Sequence, residues 1–237
     1  MMTQAAIDEL IARLRVEIPG LRIVDKDTDP TMLRIDKVVG FFPRLVGKTS
    51  AFLTRPMAFR KTIYVPSAVR LDLPKFFEVL CHEATHIIQQ EHRWWRWLFW
   101  YFSPQIWVVA TLLAVLAAFV GPWGLLPLAA LLAALPWPSP WRLAAEAEAF
   151  AVSLCAWSWL GFHPQPMFKW YGGILSGMPY YRAARTLNSA YDALERFLRK
   201  LEQDSKSAGA IVLRLAGDVL HAHKLFPARV IPVVRPA

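Results

Sequence analysis

Six histidines and nine glutamates are scattered through 237 residues, and one run of five gathers three of them: His82-Glu83-Ala84-Thr85-His86. On a helix, positions i and i+4 lie on one face, so both imidazoles can approach a single metal ion. Glu83, beside the first imidazole, then points at a metal-bound water and can act as its general base. Zinc suits two imidazoles and a carboxylate, keeps a fourth position for water, and lowers that water's pKa to about 7. A chain of this composition would show the pattern by chance only about 0.006 times, so the spacing is informative. The expected metal ligands are His82 and His86, and the expected catalytic base is Glu83.

A third ligand is needed, and acids are scarce. Glu91 lies on the same helix, too near the motif. From Trp97 to Trp141 the chain has no Asp, Glu, Lys, Arg or His. The next acids are Glu146 and Glu148. Two positions apart on a helix, they point about 200° apart, so only one can face the metal. The other is expected to be solvated or salt-bridged.

Several elements must position these groups. Asp72-Leu73-Pro74 opens the motif helix, with Asp as N-cap and Pro in the first turn. Residues 1–18 read as a short amphipathic helix. Residues 20–70 read as strand-like, through Leu21–Val24, Met32–Ile35 and Lys61–Pro66, short pieces bounded by Pro, Gly and Asp. The last of these reads as an edge strand lining the cleft, to which a substrate strand could add. A helix is expected from Arg142 to about Leu160, and another over roughly Tyr181–Gln203, with Leu187, Tyr191, Leu194 and Leu201 on one face. The tail from Phe226, with three prolines, is expected to be extended.

The motif together with Arg142-Leu-Ala-Ala-Glu146-Ala-Glu148-Ala149-Phe150-Ala151 resembles the gluzincin pattern, in which a helix downstream of the motif contributes a Glu. It is similar to the metallopeptidases that process prenylated proteins and to their bacterial heat-shock membrane relatives. His82–Gln90 with Glu146–Phe150 also resembles small metallopeptidases encoded by bacteriophages and prophages. The resemblance covers about residues 60–160. It implies a zincin-like fold, a zinc cofactor, a protein or peptide substrate, and Glu146 as third ligand with Glu148 as the alternative. Phe150 stands where those relatives carry an Asp that supports a motif His, which is a departure from their pattern.

Hydrophobic residues make up 55% of the chain and charged residues 19%, which excludes a disordered chain. Within the uncharged run, Ile106–Val120 and Leu125–Leu135 are separated by Gly121-Pro122-Trp123-Gly124, the pattern of a helical hairpin. Each arm is shorter than the ~20 residues of a full span. Trp94, Trp95, Trp97 and Trp100 at one end and Trp137 and Trp141 at the other occupy the place of an interfacial aromatic belt, flanked by Arg93, Arg96 and Arg142. We therefore expect a hairpin over 98–141 inserted in a single zincin-like domain spanning 1–237, of α+β class, with membrane association at the cytoplasmic side. A soluble cytoplasmic protein is the alternative location. The N-terminus carries acids early and lacks the apolar core of a signal peptide. Two cysteines suit a reducing compartment. A net charge of +9 favours an anionic membrane surface, and no nucleic acid is expected.

Oxyanion stabilisers could come from His163, Tyr171, Tyr180, Tyr181, His221 or His223, each more simply structural. His221-Ala-His223 reads as surface, and Cys81 as a small core residue. The reading is a zinc-dependent peptidase. Its rivals are a catalytically silent metal-binding structural or assembly protein of phage type, and a membrane-anchored interaction protein with a fortuitous motif.

Overall fold

A computed structural model describes residues 2–40, 52–91, 140–177 and 183–226, with positions 110, 113, 114 and 121. Elements are numbered within these residues. Helix α1 (Gln4–Glu17) starts at Thr3, whose side chain accepts from the Ala6 amide. It buries Ala6, Ile7, Leu10 and Leu14, a stripe with helical spacing. Gly20, at φ +86°, turns the chain into strand β1 (Arg22–Asp25).

Two further strands follow, β2 (Met57–Phe59) and β3 (Thr62–Val65). The sheet order is β1-β3-β2, with β1 parallel and β2 antiparallel to β3. The 62–65 segment expected at the sheet edge is thus the central strand. Edge character depends on partners far along the chain, which a local pattern does not reveal. Among the described residues, β2 is the edge strand packed beside the motif helix.

Residues Met32–Ile35, expected as a strand, lie within helix α2 (Pro30–Val39). Asp29 accepts from the Met32 amide at 2.9 Å, and Pro30 occupies the first helical position. Those two start signals outweigh a short alternation of apolar and polar residues. Met32 and Asp36, four apart, face inward.

Helix α3 (Ser67–Leu71) leads to the motif helix α4 (Leu73–Glu91), where Asp72 Oδ1 accepts from the Lys75 amide at 3.2 Å as the sequence predicts. Nearly every side chain of α4 from Phe76 to Gln90 is buried, so it is the axis of the molecule. Helix α5 (Pro140–Trp159) packs along it. Helices α6 (Pro164–Ser176), α7 (Leu187–Gln203) and α8 (Ala208–Ala222) complete the described chain. Helix α7 begins six residues later than expected, at a Thr186/Ser189 capping box. One core joins α1, the sheet, α4 and α8, and a second joins α5, α6 and α7. The molecule is mostly helical with one small sheet, an α+β arrangement.

The expected hairpin over 98–141 lies almost wholly outside the described residues, as does the tail beyond Phe226. Among the described residues, no helix is long and apolar enough to cross a membrane. Gln89 Nε2 donates to the Ala145 carbonyl at 3.2 Å, so the chain leaves α4 and re-enters α5 at one end of the helix pair.

Candidate metal centre

The pairing of α4 with α5 brings together the three groups expected to hold a metal. A nitrogen of His82, a nitrogen of His86 and a carboxylate oxygen of Glu146 lie within 4.8 Å of one another, and all three residues are buried. Glu146 Oε2 is 3.4 Å from His86 Nε2 and 3.9 Å from His82 Nε2. Bonds of about 2.0–2.1 Å to a tetrahedral ion set its ligand atoms roughly 3.3 Å apart. The spacing therefore suits three atoms sharing one ion.

The tautomers support the same conclusion. Ser153 Oγ donates to the Ala149 carbonyl at 3.2 Å, so toward His82 Nδ1, 3.0 Å away, it accepts. His82 therefore carries its proton on Nδ1, and its Nε2 lone pair faces Glu146. Gln89 Nε2 faces two acceptors, the Ala145 carbonyl at 3.2 Å and Glu148 Oε2 at 2.9 Å. The Gln89 oxygen is thereby turned to His86 Nδ1, 3.1 Å away, which must donate. Both imidazoles are held by one nitrogen and aimed by the other, as metal-ligating histidines are.

Glu148 has a different post from either expected one. It is buried, with Oε1 accepting from the Gly209 amide at 3.0 Å at the start of α8 and Oε2 accepting from Gln89. It faces away from the cluster and acts on His86 through Gln89. Sequence reasoning missed Gln89 and Ser153. Gln89 is three residues beyond His86 and Ser153 seven beyond Glu146, so helical spacing alone could have flagged both. Ser153 also occupies the role left open at Phe150, whose ring packs against His82 at 4.7 Å.

Burial and charge divide the titrating groups. Burial, followed by the neighbouring His86, drives His82 down to about 4. Burial also acts downward on His86, but the Glu146 carboxylate overcomes it by charge and hydrogen bond and raises His86 above its ordinary value. A proton on His86 Nε2 is therefore what an incoming cation would replace. Burial raises Glu83 to about 7, with His86 opposing. A carboxylate poised near neutrality can both accept and return a proton.

His82 and Glu83 open onto a cavity of about 440 Å³. Its lining includes Thr54, Arg55 and Pro56 before β2, and Trp170, Tyr171 and Ile174 of α6. At the side, Tyr171 Oη donates to Glu78 Oε1 at 3.1 Å and accepts from Trp157 Nε1 at 3.2 Å. Lys75 Nζ donates to Glu78 Oε2 at 2.7 Å. Glu78, four residues before His82, was another member legible only from the helical face.

The remaining candidates lie elsewhere. His163 caps α6, accepting from the Gln165 amide at 3.3 Å. His221 is exposed, and His223 pairs with Glu9 at 2.8 Å. Tyr180 and Tyr181 lie outside the described residues. Cys81 is a buried core residue whose thiol burial pushes up. No protein-family model, curated protein or solved structure matches this chain.

Proposed function

We propose that the chain is a zinc-dependent peptidase with a zincin-like, gluzincin-type centre. The observation that carries the reading is the convergence of two imidazole Nε2 atoms and one carboxylate oxygen, with both tautomers set by neighbours. His82, His86 and Glu146 would hold the ion. A bound zinc would supply a Lewis acid and an acidified water. Glu83 takes a proton from the attacking water and returns it to the leaving amine. Its elevated pKa suits that exchange. The cavity receives the substrate beside the 54–56 segment and α6, and the edge of β2, unpaired among the described residues, offers an extended peptide a strand to pair with.

We further propose that residues 98–141 attach the protein to the cytoplasmic face of a membrane. Their uncharged, Trp-flanked composition and the shared exit and entry point at Gln89 and Ala145 support this.

The test is zinc content per chain in wild type, His86→Ala, Glu146→Gln and Glu83→Gln, beside hydrolysis of a fluorogenic casein. About one zinc is expected in wild type and in Glu83→Gln, little in the other two, and hydrolysis in wild type alone. Full hydrolysis by Glu83→Gln would overturn the mechanism. Zinc without any hydrolysis would leave a silent metal-binding assembly protein. No zinc in wild type after reconstitution would remove the metal reading altogether.

A further inference from the structure

A buried lysine lies outside the metal ligands and the groups that support them. Lys26, the residue after β1, is 1% exposed. Its ammonium donates to the Phe52 and Arg55 carbonyls, each at 2.7 Å, and lies 3.9 Å from the centre of the Phe52 ring. Two carbonyls and a ring face are a complete set of partners for a group with three N–H donors. A lysine is rarely buried so fully unless it is paired, so its contacts point to a specific job.

Its two hydrogen bonds and its ring contact lie on residues 52–55, immediately before β2, while burial works against its charge and Glu83 and Asp36 favour it. Thr54, Arg55 and Pro56 line the cavity, as do residues of α6. The ligand-bearing helices α4 and α5 are joined to each other and to α8 without help from that turn. The turn itself is short, precedes a strand of only three residues, and has two carbonyls turned to the buried ammonium. Lys26 thus ties the end of the first strand to that part of the cavity lining.

We propose that Lys26 is a positioning residue. It clamps the 52–55 turn so that the 54–56 wall and the β2 edge stand at a fixed distance from the metal centre, and in doing so it sets how firmly a peptide substrate is held. The clamp follows from the geometry alone; its effect on substrate rests on the peptidase reading. An interaction that holds substrate equally in the ground and transition states changes KM and leaves kcat in place. Loosening the clamp should therefore weaken binding and leave the metal in place; because the ammonium's charge also acts on Glu83, kcat is judged in a variant that keeps that charge.

The test compares wild type with Lys26→Met, which keeps the length of the side chain and removes its donors. Phe52→Leu is the milder second variant, leaving both carbonyl bonds and removing the ring beneath the ammonium. Three quantities are read: amide hydrogen exchange over residues 52–59, zinc content per chain, and KM and kcat on a fluorogenic casein. In Lys26→Met, exchange over 52–59 should rise while that of α4 and α5 stays as in wild type, and zinc content should be unchanged. KM should rise about tenfold. Phe52→Leu, which keeps the ammonium's charge beside Glu83, should shift exchange and KM the same way by less, with kcat within about threefold. Unchanged exchange over 52–59 in both variants would overturn the clamp. Raised exchange with unchanged KM would show a structural tie that does not position substrate. A rise in exchange spread over α4 and α5, or loss of zinc, would show that Lys26 supports the whole core and would overturn the proposal. If wild type hydrolyses nothing, the peptidase reading fails by itself, and exchange and zinc content still decide the clamp.

Discussion

Replacing Glu148 by Gln tests the support of His86 with almost no change in shape. The substitution puts an amide where Gln89 Nε2 now finds a carboxylate oxygen at 2.9 Å. The new side chain has one oxygen, and the Gly209 amide, at 3.0 Å, competes for it. If the oxygen stays on Gly209, two NH₂ groups face each other and Gln89 loses an acceptor. If Gln89 turns over to escape this, it presents NH₂ to His86 Nδ1. His86 must then accept at Nδ1 and carry its proton on Nε2, the atom aimed at Glu146, 3.4 Å away. Either outcome loosens or blocks one ligand while leaving all three in place. Loss of such a support weakens metal binding by about 10–100-fold. That is about 1.4–2.8 kcal/mol, at 1.4 kcal/mol per tenfold. Competition against a chromogenic chelator at neutral pH reads the affinity, and thermal unfolding checks that the variant is folded. Glu146→Gln should lose zinc far more completely, because it removes the ligand itself. Equal loss in the two variants would make Glu148 a ligand and refute the assignment; wild-type affinity in Glu148→Gln would refute the tautomer argument.

Ser153→Ala should leave the His82 Nδ1–H buried without its acceptor and weaken zinc binding by about tenfold, read in the same chelator assay. Gly209→Ala should destabilise the protein by about 1–3 kcal/mol in urea unfolding, because a Cβ there would come 2.6 Å from Leu201 Cδ2 and 2.8 Å from Val152 Cγ2. Glu9 links α1 to α8, and its carboxyl is held below the ordinary value of 4.5 by hydrogen bonds from Arg13 and then His223. A lowered folded pKa contributes stability above the unfolded value and loses it as pH falls through the folded one. Glu9→Gln should therefore be less stable than wild type at pH 7, with the gap closing as pH drops below about 4.5.

The chemistry of this chain was legible where it depended on neighbours along a helix. His82, Glu83 and His86 share a face because four residues make about one turn, and Asp72 caps that helix because its side chain reaches the Lys75 amide. The same local logic gave α1 its stripe of Ile7, Leu10 and Leu14. What tertiary structure decided was which face meets which. Glu146 and Glu148 point to opposite sides of α5, and only the packing of α5 on α4 and α8 sends Glu146 to the histidines and Glu148 to Gln89 and Gly209. The central place of β3 was equally hidden, since parallel pairing with β1 joins residues forty apart. Met32–Ile35 misled because its alternation was shorter than the reach of the Asp29 and Pro30 start signals. Ser153 and Lys26 look ordinary in the sequence because their partners, His82 and the 52–55 carbonyls, are remote along the chain and near only in the fold.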